Sequence, residues 1–162
     1  MAIDVWTIDT SALLEVKRCG FSEGDQMAVF KGLTDLAQQG RIAVERRVIG
    51  ECGGGRYFDL PAGWATFVRG HLVHPLEAQA VYIGRVMASA AELVEQGALH
   101  DPADPWVLAL ALQLVDGQHD VCVVTQDRID RLPTKLSMAT ACKRLKLPWR
   151  MLEDFLHDVG LP

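Results

Sequence analysis

Asp9, Glu51, Asp104 and Asp127 come from four separate stretches of the chain, each where a strand or helix is expected to begin or end. Carboxylates are hard oxygen donors, and Mg²⁺ is usually held by a few of them together with waters and substrate phosphates. Such an ion lowers the pKa of a water, sets it in line with a phosphate and neutralises developing charge. The chemistry these acids point to is therefore metal-assisted phosphodiester hydrolysis, with Mn²⁺ able to replace Mg²⁺. Taken singly, each has an ordinary explanation. Asp9 is placed to cap the next helix, although Thr10 and Ser11 can do that instead. Asp104 precedes Pro105 as a common N-cap. Glu51 can pair with Arg47 one helical turn back, and Asp127 is an acceptable turn residue after a strand. Asp101 either joins the site, caps a turn or faces water. Thr10, Ser11 and Thr125 are supporting hydroxyls beside the acids.

The elements that must position these groups are legible in the hydrophobic pattern. Val5-Trp6-Thr7-Ile8 is a β-favouring run ending at Asp9, with a helix expected over 12–18. Met27, Phe30, Leu33, Leu36 and Ala37 recur at helical spacing between Ser22 and Gly40. Residues 41–44 read as a second strand and 45–52 as a short helix, broken by Gly53-Gly54-Gly55. Over 59–97 two helical faces follow, Trp64, Phe67, Val68 and Leu72, then Ala80, Ile83, Met87, Ala90, Ala91 and Val94. They read as a helical pair inserted in the fold. Asp104-Pro105 opens a helix expected to be buried all round, and Val121-Cys122-Val123-Val124-Thr125 reads as a central parallel strand. A helix over 133–145, an edge strand at Trp149-Arg150 and a helix over 151–159 complete the chain. Strands separated by helices imply an α/β class, a parallel sheet and right-handed crossovers. Ligands in such sheets bind beyond the C-terminal strand ends, where Asp9 and Asp127 fall.

A length of 162 residues, 49% of them hydrophobic and 23% charged, suits one folded domain over 1–162. No signal-peptide pattern or membrane-length apolar stretch is present, so a cytoplasmic chain away from the membrane is expected. Cys19, Cys52, Cys122 and Cys142 are far apart and suit reduced core thiols. His71 and His74 lack the second pair that a zinc site needs. A net charge of −5 argues against nonspecific coating of nucleic acid, which depends on Lys and Arg releasing counterions. The stretch from Arg128 to Arg150 is nevertheless basic, and Arg46, Arg47, Arg128 and Lys135 are candidate phosphate contacts.

Four motifs, taken in order, resemble the PIN-domain family, particularly toxin nucleases of the VapC type and a related prokaryotic PIN-like group. Val5-Trp6-Thr7-Ile8-Asp9-Thr10-Ser11 looks like the opening strand with its first metal-binding Asp, and Val48-Ile49-Gly50-Glu51 like the segment carrying the second acid. Asp104-Pro105-Trp106-Val107-Leu108-Ala109 is similar to the third motif, and Val123-Val124-Thr125-Gln126-Asp127 to the fourth. The resemblance implies a PIN-like three-layer α/β/α sandwich with a mainly parallel sheet and a Mg²⁺-dependent endoribonuclease. It also implies catalytic and metal-binding roles for Asp9, Glu51, Asp104 and Asp127. RNA is the implied substrate, with a cognate antitoxin as partner of a toxin–antitoxin pair; homodimers are common in that family. A haloacid-dehalogenase-like phosphatase needs a second Asp where Ser11 stands. A P-loop needs a glycine-rich turn after the strand, which Asp9-Thr10-Ser11 lacks. The remaining alternative is a PIN-like RNA- or protein-binding module without catalysis.

Overall fold

In the computed structural model, which describes residues 2–53 and 58–162, the β-favouring run forms strand β1 (Val5–Ile8) with all of its side chains buried. Helix α1 (Thr10–Glu15) starts earlier than the expected residues 12–18, because Asp9 itself caps it. Helix α2 (Glu23–Gln38) is capped by Ser22 and buries Val29, Phe30, Leu33, Leu36 and Ala37. Met27 is 63% exposed and is not part of that face. Gly40, at φ 72°, closes the helix in the left-handed conformation that favours glycine.

Strand β2 (Ile42–Ala43) is shorter than the expected residues 41–44, and helix α3 (Arg46–Gly53) follows. Gly54 and Gly55 of the glycine run lie outside the described residues. Helices α4 (Leu60–Val68) and α5 (Ala80–Ala90), with a 3₁₀ turn Ala91–Leu93, fill the region read as a helical pair. Their main packing partners differ: α4 lies on α2 and α3, whereas α5 lies on the helix that follows it. Of the first face read in that region, Phe67 is 55% exposed while Trp64 and Val68 are buried.

Helix α6 (Asp104–Asp116) is buried at Val107 to Leu112 in succession, which explains why its sequence is apolar on nearly every side. Strand β3 (Val121–Val124), helix α7 (Met138–Arg144), strand β4 (Trp149–Arg150) and helix α8 (Leu152–Val159) end the chain. The helix expected from residue 133 begins only at Met138. There Ser137 accepts from the Thr140 amide, and the Asp130 carboxylate accepts from the Ser137 amide. Residues 131–135 instead make a turn in which Arg131 and Lys135 pair antiparallel.

The four strands are all parallel in the order β2-β1-β3-β4. Helices on both faces make the class α/β and the architecture a three-layer α/β/α sandwich. Helix α6 packs on β1 and β3, while Phe155 of α8 meets Trp6 of β1 edge to face with ring centroids 5.0 Å apart. From β1 the chain crosses outward to β2, and from β3 it crosses the opposite way to β4. The C-terminal ends of β1 and β3 therefore flank the switch point, where the connecting loops part and leave a crevice. The four cysteines are free, and burial pushes Cys52 up to about 12 and Cys122 up to about 11. Among the described residues no helix is long and apolar enough to cross a membrane.

Candidate active site

Asp9 leaves the end of β1 at that switch point, and its backbone amide donates to the Val124 carbonyl at 3.1 Å, tying the two central strands together. Its Oδ1 accepts from the Ala12 amide at 2.9 Å, which is the N-cap of α1, and from Ser11 Oγ at 2.7 Å. Its Oδ2 accepts from Thr125 Oγ1 at 2.5 Å. Capping and site-facing roles thus fall on one carboxylate, rather than the cap passing to Thr10 or Ser11. Ser11 Oγ also accepts from the Gln126 amide, and Thr125 Oγ1 from the Asp127 amide, so both hydroxyls lock the loop after β3 to the start of α1. Only 1% of Asp9 is exposed. Burial, reinforced by the charge of Asp104, raises its pKa to about 7 despite those hydrogen bonds.

Glu51 does not pair with Arg47. Its Oε2 accepts from Thr10 Oγ1 at 2.5 Å and its Oε1 from the Ala103 amide at 3.0 Å, so α3, the start of α1 and the entry to α6 meet on one side chain. Asp104 is not the expected N-cap: Ala103 takes that position without a side-chain bond, and Asp104 is the first helical residue. Released from capping, its Oδ2 accepts from Lys135 Nζ at 2.8 Å. Asp127 Oδ2 accepts from the same ammonium at 3.3 Å and from the Met138 amide at 3.2 Å.

Asp9, Glu51, Asp104 and Asp127 line one cleft of about 530 Å³, together with Thr10, Ser11, Gln126, Lys135, Arg131 and Arg18. Burial raises the pKa of Asp104; Lys135 opposes this, while Asp127 and Glu51 add to it. Burial disfavours the Lys135 ammonium, yet Asp104 and Asp127 outweigh it and hold that pKa above the ordinary lysine value.

Other residues singled out in the sequence lie elsewhere. Asp101 does not line the cleft; its side chain is 60% exposed and binds Arg47 Nε at 2.7 Å and Trp106 Nε1 at 3.2 Å. Arg47 also bonds Glu45 and Glu77, with its guanidinium 3.8 Å from the Trp106 ring centre, and Arg46 pairs with Glu77 at 2.8 Å. Both arginines are thus paired with acids, and neither lines the cleft. Arg128 is exposed and outside the cleft. Of the candidate cations, only Lys135 lines it. Arg131, read only as part of the basic stretch, and Arg18 were not among the phosphate candidates; Arg131 faces Lys135 across an antiparallel bridge. Glu45 was missed as well: it is buried at 1% exposure, and the Glu45-Arg46-Arg47 run after a strand was the clue. His74 bonds the Gly40 carbonyl at 2.6 Å, while His71 stacks on Phe67.

A divalent cation fits the donor chemistry of the cleft, since the donors are carboxylate oxygens from four segments and the buried Asp9 carries an electrostatic penalty that a cation would relieve. Among the described residues, no three His, Cys, Asp or Glu side chains form a ready-made ligand group. No curated protein matches the chain. A family described as a domain of unknown function, DUF4411, matches residues 6–161. That span takes in β3, all of β1 but its first residue and every acid of the cleft, and the chain belongs to the DUF4411 family.

Proposed function

We propose that this protein is a divalent-cation-dependent endoribonuclease of PIN type. The observation that carries the reading is the convergence of Asp9, Glu51, Asp104 and Asp127 on one cleft at the β1/β3 switch point. A cation bound there supplies charge neutralisation and water activation for phosphodiester hydrolysis. Asp9, held by Ser11, Thr125 and the Ala12 amide, offers a carboxylate with little freedom to move. Glu51 is oriented by Thr10 and the Ala103 amide, and Asp104 projects from the first turn of α6. Arg131 and Arg18 stand at the wall of the cleft as cations for the RNA backbone. The VapC-type resemblance carries the reading to the toxin of a toxin–antitoxin pair.

One observation favours the second reading, a PIN-like module without catalysis: Lys135 already neutralises part of the acidic cluster. Incubation of the full chain with structured RNA and Mg²⁺ or Mn²⁺ separates the two. Cleavage is expected in the wild type and lost by more than about a hundredfold in Asp9→Asn and in Asp104→Asn. Cleavage that persists in both variants, or never occurs in the wild type, overturns the nuclease reading.

A further inference from the structure

Lys135 is the cation already seated among the acids. Its side chain is 18% exposed, and its ammonium contacts Asp104 Oδ2 at 2.8 Å and Asp127 Oδ2 at 3.3 Å. We propose that Lys135 is a tethered counter-ion that occupies the Asp104–Asp127 side of the cleft, so that a divalent cation binds only as this ammonium swings away. The proposal rests on the metal-dependent reading of the cleft and assigns its regulation.

Three observations carry it. The ammonium binds oxygens that a divalent cation would need, and two cations on the same oxygens repel strongly in a partly desolvated cleft. Asp104 and Asp127 otherwise have too little compensation: Asp104 receives no backbone cap bond, and Asp127 receives one amide from Met138. Finally, Lys135 sits at the end of a turn whose residues Arg131, Leu132, Pro133 and Thr134 are all exposed. Its four-carbon stem can therefore rotate toward solvent without breaking core packing. Once displaced, the ammonium stands beside Arg131 at the cleft mouth, where two cations would face an incoming phosphate.

The test is Mn²⁺ titration, by calorimetry after chelator treatment, of the full-length wild type and Lys135→Met, Lys135→Gln and Lys135→Arg. Circular dichroism first establishes that each variant is folded. The neutral variants are expected to bind Mn²⁺ about tenfold tighter than the wild type, and Lys135→Arg about as weakly. A readout on the wild type alone does not depend on any variant folding: amine-reactive labelling of Lys135, read by mass spectrometry, should rise severalfold on adding Mn²⁺. Equal Mn²⁺ affinity across the series, or labelling unchanged while Mn²⁺ is bound, overturns the counter-ion proposal and leaves the metal site standing. Absence of Mn²⁺ binding in the wild type and in both neutral variants overturns the metal reading and this proposal with it.

Discussion

Asp9 illustrates how one carboxylate can hold a fold together and still be poised for chemistry. It caps α1, accepts from Ser11 and Thr125, and is nearly inaccessible to solvent. Burial and the nearby charge of Asp104 put its folded pKa at about 7, above the unfolded value of 3.8. The folded state therefore favours the proton-bound form: the stabilisation is complete below pH 4 and is lost as pH rises toward 7. In chelator, the stability of the wild type relative to Asp9→Asn should fall by on the order of 4 kcal/mol between pH 4 and pH 8. Urea unfolding at several pH values measures this. A difference that stays flat with pH would show that folding leaves the Asp9 pKa unshifted.

At the scale of elements, the loop entering α6 is held by helix α3. Arg47 on α3 grips Asp101, Glu45 and Glu77 and lies over Trp106, while Glu51 on the same helix takes the Ala103 amide. Helix α3 thus sets where α6 begins, and with it the direction of Asp104. Glu45 is the buried partner, and burial raises its pKa against the pull of Arg47. Arg47→Met would strand that carboxylate, at an expected cost of about 3 kcal/mol. Adding Glu45→Gln should recover a substantial part of the loss, because the two changes act on one contact. A double-mutant cycle by chemical denaturation reads this; strictly additive losses would mean that the pair does not interact.

For the whole molecule, stability and site are built on the same two strands. β1 carries Asp9 at its end and Trp6 within it, and Trp6 packs on Phe155 of α8, which is fully buried. Phe155→Ala should cost about 3–5 kcal/mol through lost burial and the cavity left behind. The expected signature is a lower urea midpoint at unchanged slope, with RNA cleavage retained by the folded fraction. Cleavage lost while the far-ultraviolet spectrum remains native would instead reveal that α8 supports the cleft directly.

Local pattern was sufficient for the sheet and most of the helices, because burial on both faces leaves a continuous apolar run such as Val121 to Val124 and an all-round apolar helix such as α6. It also placed Asp9 and Asp127 at C-terminal strand ends, since strand direction follows from the alternation of strands and helices. Side-chain partnership was not legible in this way. Asp101 was open to joining the site, capping a turn or facing water, and only the structure shows it drawn outward by Arg47 while Asp104 turns inward to Lys135. Lys135 read as a candidate phosphate contact within a helix, whereas Ser137 and Asp130 begin that helix later and leave the lysine on a turn over the acids. Such pairings join residues tens of positions apart, and no period or propensity encodes them. They follow from how the helices pack around the end of the sheet.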